Sequence, residues 1–90
     1  MDRDRWRISG KTAYEFIQDE AVALNLRTGL YYRLNAVAAS ALDGLAGGAG
    51  VDDLIARLVQ DFDVEPAILR RDLGEFLSEL EKYGLIEPVP

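Results

Sequence analysis

Ninety residues, about half of them apolar and with a net charge of −6, make one globular domain near the size at which a single core becomes self-sufficient. With no cysteine and no histidine, the chain has no disulfide framework and no thiolate zinc site, and it lacks the commonest catalytic base and nucleophile. No stretch approaches the roughly 20 apolar residues that span a bilayer. The charged start Met1-Asp-Arg-Asp-Arg-Trp6 lacks the apolar core of an export signal, so a cytoplasmic protein without a membrane partner is expected.

Residues 1–12 are polar apart from Trp6 and Ile8 and read as an N-terminal arm, either frayed or a short extra strand. Residues 13–18 alternate as a strand with Tyr14 and Phe16 on one face, and Asp19-Glu20 is the expected turn. In residues 21–27, Val22, Leu24 and Leu26 share one face, with Ala23, Asn25 and Arg27 on the other. Thr28-Gly29 gives the next turn. In residues 30–34, Leu30, Tyr32 and Leu34 point one way, Tyr31 and Arg33 the other.

Asn35 is a good N-cap for a helix that buries Val37, Ala38, Ala41, Leu42 and Leu45, and whose alanines imply close approach to a neighbour. The glycine-rich run 46–50 ends it. A second helix starts near Gly50, with Asp52 and Asp53 in its first turn, and buries Leu54, Ile55, Leu58, Val59 and Phe62. A third opens at Pro66 and buries Leu69, Leu73, Phe76, Leu77 and Leu80. Gly84 is expected to release the chain in a left-handed turn, and residues 85–90 are extended. The fold class is therefore α+β: a three-stranded antiparallel meander followed by three helices, with a winged-helix-like tri-helical part.

Nothing after Asn35 offers a partner for the strand at 30–34. It is short, apolar and aromatic, and neither proline nor lysine blunts its edge. An edge left bare in a small protein points to an extended peptide docking there, because unpaired backbone groups template another strand.

The segment Gly29-Leu-Tyr-Tyr-Arg-Leu-Asn35 entering a helix, then Val51-Asp-Asp-Leu-Ile-Ala-Arg-Leu58, Asp61-Phe-Asp-Val64, the closing Arg71-Asp-Leu-Gly-Glu-Phe-Leu-Ser-Glu-Leu80 and Tyr83-Gly-Leu-Ile86 together resemble the PqqD-like family. These are stand-alone recognition elements for ribosomally made, modified peptides. The resemblance spans a domain at residues 13–87. It implies a non-catalytic peptide chaperone that binds a precursor's leader peptide as an added strand along the third strand, in the groove facing the third helix. The bound leader would be delivered to a modifying enzyme or leader protease. Carried over by position, the docking strand is Leu30, Tyr31, Tyr32, Arg33 and Leu34. Side-chain pockets are expected beside Leu69, Leu73, Phe76 and Leu77, and Arg33, Arg70 and Arg71 are the nearest bases for leader carboxylates. The run 46–50 is richer in glycine than the family pattern, and Gly50 stands where that pattern often has a Ser or Thr cap.

Rival readings are weaker. A DNA-binding winged helix would use the third helix, where Asp72, Glu75, Glu79 and Glu81 oppose Arg70, Arg71 and Lys82. Residues 51–90 hold ten acidic against four basic side chains, so a phosphate backbone is repelled and no nucleic-acid partner is expected. Asp61, Asp63, Glu65 and Asp72 mimic a calcium loop, but Pro66 replaces the required glycine, and no metal or other cofactor is expected. The remaining alternative is an interaction module without a peptide substrate, binding a partner enzyme or forming a homodimer through its bare edges.

Overall fold

The computed structural model describes residues 5–89. Strand β1 (Trp6–Ile8) is followed by β2 (Thr12–Ile17), β3 (Glu20–Asn25) and β4 (Tyr31–Leu34). Helices α1 (Ala36–Ala46), α2 (Val51–Phe62) and α3 (Pro66–Lys82) follow, and β5 (Ile86–Pro88) closes the chain. Strands β2, β3 and β4 form one antiparallel sheet in that order, with Ala23 opposite both Tyr14 and Tyr32. The architecture is the expected meander followed by three helices.

The two ends of the chain add a second sheet that periodicity does not reveal. Strand β1 pairs antiparallel with β5, Trp6 opposite Pro88 and Ile8 opposite Ile86. Residues 1–4 of the expected arm, and Pro90 of the extended tail, lie outside the described residues.

Both turns of the meander are shifted from the expected positions. The first is Gln18-Asp19, closed by Ile17 opposite Glu20, and Gln18 takes the left-handed conformation at φ 60°. The second strand ends at Asn25, two residues early. Asn25 is buried, and its Oδ1 accepts the N–H groups of Arg27 and Thr28 at 2.9 and 3.2 Å, which bends the chain there. Gly29, at φ 77°, completes the turn.

Strand β3 alternates as read, but the side facing the helices is the small one. Ala21, Ala23 and Asn25 are buried, whereas Val22 and Leu24, on the opposite side, are half-buried, and Leu26 is exposed in the turn that follows. Small residues there let α1 lie close against the sheet. Gly44 serves the other side of α1 in the same way, since a Cβ at that position would collide with the Leu54 side chain of α2.

Asn35 caps α1, its Oδ1 accepting the Ala38 N–H at 2.9 Å. Helix α1 buries Ala39, Ala41, Leu42, Gly44 and Leu45, while Val37 and Ala38, expected inside, are half-buried. Helix α2 begins after Gly50 with no side-chain cap and buries Leu54, Ile55 and Leu58, with Val59 and Phe62 packed at the core's margin. Pro66 opens α3, which buries Leu69, Leu73, Leu77 and Leu80; Phe76 is only half-buried. Gly84, at φ 74°, turns the chain into β5. Trp6 joins this core, so the arm is anchored through it.

Candidate functional site

The open edge of β4 has a defined polarity. Asn25 N–H donates to the Leu30 carbonyl at 2.9 Å, which makes Asn25 and Leu30 a hydrogen-bonded pair. In an antiparallel ladder such pairs alternate. With Ala23 opposite Tyr32 and Ala21 opposite Leu34, the main-chain groups of Leu30, Tyr32 and Leu34 turn inward to β3. Those of Tyr31 and Arg33 turn outward, where no strand is paired among the described residues. The edge therefore presents two N–H donors and two carbonyl acceptors in strand spacing.

Beside the edge lies a groove. Between β4 and α3 a cavity of about 250 Å³ is lined by Tyr32, Arg33, Leu34, Asn35, Ala38, Phe76, Glu79, Leu80 and Tyr83. A second, of about 300 Å³, lies between α1 and α3 and is lined by Val37, Ala38, Ala41, Val64, Ile68, Leu69, Leu73 and Phe76, with Asn35 and Asp72 as polar members. The two share Asn35, Ala38 and Phe76, so they are neighbours along one path from the edge to the start of α3. The walls are mainly apolar, and Glu79 and Asp72 each put a carboxylate on the wall that α3 supplies.

Tyr32 and Tyr83 stack with ring centroids 4.5 Å apart and an interplanar angle of 14°. Tyr83 follows the last turn of α3 and is held by Asn25, whose Nδ2 donates to the Tyr83 carbonyl at 2.8 Å. One buried amide thus ties the β3–β4 turn to the end of α3.

The structure brings most of the sequence-derived residues together. Tyr31 to Leu34 form β4, with Leu30 just before it; Tyr32, Arg33 and Leu34 line the groove. Tyr31 is 69 % exposed on the sheet face away from the helices. Arg33 lies on that same face at the edge, its guanidinium 3.7 Å from the Glu20 carboxylate. Leu69, Leu73 and Phe76 line the second cavity. Leu77 is buried and lines neither cavity. Arg70 is turned to α2, donating to Asp52 at 3.1 Å, and Arg71 pairs with Asp72 at 3.5 Å.

Ile68 and Leu80 bound the stretch of the third helix expected to face the docking strand, whereas Tyr83, Val37 and Ala38 are not among the sequence-derived site residues. The signal for Val37 and Ala38 was available: an apolar stripe spread over too many faces of α1 for one neighbour to cover. Tyr83 carries no such signal, because its place depends on the hydrogen bond from Asn25, 58 residues away in sequence.

A family described as Coenzyme PQQ synthesis protein D (PqqD) matches residues 20–86. Two solved structures share the fold over 93 % of this chain. "TbiB1 in Complex with the TbiA(beta) Leader Peptide" is 30 % identical with a TM-score of 0.87, covering 98 % of that chain. "Lasso peptide synthetase B1 complexed with the leader peptide" is 25 % identical with a TM-score of 0.84, covering 99 % of that chain. No curated protein is significantly similar to the chain.

Proposed function

For a chain that belongs to the PqqD family, we propose that the open β4 edge and its groove bind the leader of a ribosomally made precursor peptide and present it to a modifying or processing enzyme. The observation that carries this reading is the outward main chain of Tyr31 and Arg33 beside a mainly apolar groove, in a protein whose 30 %-identical relative was solved with a leader peptide. In this reading the chain performs no chemistry itself, and the partner enzyme supplies the reaction.

Strand addition fixes the leader's alternation. Residues paired with Tyr31 and Arg33 turn their side chains to the outer sheet face, and the residue opposite Tyr32 turns into the groove toward Phe76, Leu80 and Tyr83. Four main-chain bonds at about 0.5–1.5 kcal/mol each contribute roughly 2–6 kcal/mol. Ordering a disordered leader costs about 2–5 kcal/mol. The main chain therefore roughly balances, and affinity and selectivity come from groove-facing side chains, each worth about 1.5–3 kcal/mol when a large apolar group is fully buried. The carboxylates of Glu79 and Asp72 disfavour acidic residues on the groove side, whereas Arg33 accepts an acid on the outer side.

The test is an amide NMR titration of the labelled protein with the leader of the precursor peptide encoded nearest to it. Shifts concentrated on residues 30–35 and on the groove face of α3 are expected. A saturable interaction that leaves β4 unshifted would remove this site from consideration.

A further inference from the structure

The sheet face turned away from the helices carries the larger side chains of β3. Val22 and Leu24 point outward and Ala21, Ala23 and Asn25 inward, an arrangement opposite to that of a strand whose outer side meets only water. Tyr31 extends this apolar surface on β4 at 69 % exposure, and Ile17 extends it on β2 at 58 %. An apolar strip of this kind, flanked by Glu15, Glu20 and Arg33, marks a contact surface.

The rows across the sheet say what fits it. One row reads Glu15, Val22, Arg33 and the next Ala13, Leu24, Tyr31, from β2 through β3 to β4. A two-fold axis parallel to β3 exchanges the flanks of two stacked sheets and leaves the centre on itself. Glu15 then faces Arg33 of the second copy on both sides of the axis, joining the Glu20 carboxylate that lies 3.7 Å from Arg33 within each copy, and small Ala13 faces large Tyr31. Val22 and Leu24 meet their own counterparts along the spine. A two-fold axis across the strands gives neither match, because it sets Glu15 over Ala13 and Arg33 over Tyr31.

We propose that this face is a homodimer interface, in which two copies of the chain stack sheet on sheet about an axis along β3. The contact is isologous, as a two-fold interface requires, and sheets stacked this way cross at about 30°. The charge distribution permits it: residues 1–50 hold six acidic and six basic side chains, so the net −6 resides in residues 51–90, which form α2, α3 and the tail. Three short strands bury well under the roughly 1,200 Å² of a standard interface. The dimer is therefore reversible, with a dissociation constant on the order of 10⁻⁴ M. It leaves the main chain of the β4 edge and the groove open and shares only the Arg33 side chain with the proposed leader site, so it does not depend on the leader-binding reading.

Sedimentation velocity from about 10 µM to about 1 mM at low salt, where a rim charge pair is least screened, tests this. The wild-type chain is expected to pass from a 10.0 kDa monomer toward twice that mass. Val22→Lys buries a charge at the axis and should weaken association about tenfold or more. Glu15→Lys alone should weaken it several-fold, and Glu15→Lys with Arg33→Glu should recover part of that loss, the remainder being the cost of setting a second carboxylate beside Glu20. Glu15 and Arg33 are exposed and the swap gives up only the exposed Arg33–Glu20 pair, so it keeps the fold. A monomer at about 1 mM, or association indifferent to the charge swap, overturns the proposal and leaves the face to a different protein.

Discussion

Asn25 concentrates more of the site's geometry than any other single residue. Its buried amide holds the β3–β4 turn through two accepted bonds and the end of α3 through one donated bond. Gly84 leaves room for it: a Cβ there would stand 3.0 Å from Nδ2. Asn25→Ala is expected to cost about 2–4 kcal/mol, because it orphans two N–H groups and a carbonyl in a partly buried place. Urea unfolding followed by fluorescence checks the magnitude. Loss of the Tyr32–Tyr83 stack should also reduce near-ultraviolet circular dichroism while the far-ultraviolet spectrum is kept. In the sequence Asn25 reads only as one of three residues opposite Val22, Leu24 and Leu26. Its importance rests on a partner at position 83, and no local pattern encodes that pairing.

At the level of elements, β4 makes the proposed mode of binding open to a direct test. The N–H of Arg33 points to the open edge and that of Tyr32 to β3, so proline has opposite effects at adjacent positions. Arg33→Pro should leave the sheet intact and weaken leader binding relative to Arg33→Ala by about 0.5–1.5 kcal/mol, roughly 2- to 12-fold, the worth of one main-chain bond. Tyr32→Pro should break the ladder with Ala23 and lower stability instead. Isothermal titration with both Arg33 variants separates the guanidinium's contribution from the backbone's; equal affinity for the two would argue against strand addition. The bare edge itself was legible, since a strand at 30–34 with no later strand to pair with follows from alternation and the helical periods after Asn35. The helices were legible for the same reason, down to the Asn35 cap and Pro66. The inward face of β3 was not, because apolar size usually marks the core and here the close approach of α1 selects alanine.

For the whole molecule the decisive feature is the joining of its ends. Strand β1 pairs with β5, Ser9 N–H and Thr12 Oγ1 both donate to the Leu85 carbonyl, and Val89 N–H donates to the Arg5 carbonyl. Trp6, 7 % exposed, enters the same core as Leu45, Leu54 and Leu85. Three-residue strands leave almost no periodic signal, so this pairing was not legible; Trp6 and Ile8 in an otherwise polar arm were its only trace. The pairing matters for the site because β5 follows directly from Tyr83 and Gly84. Securing the tail secures the end of α3, and with it one wall of the groove. Trp6→Ala should therefore cost about 3–5 kcal/mol, as for other buried large-to-alanine changes. In a chain of this size that amounts to roughly 12–40 °C in melting temperature. If the ends were a detachable arm, calorimetry would find the variant close to wild type. If they belong to the core, leader affinity should decline along with stability as the measuring temperature approaches the lowered melting point, although Trp6 lines neither groove cavity.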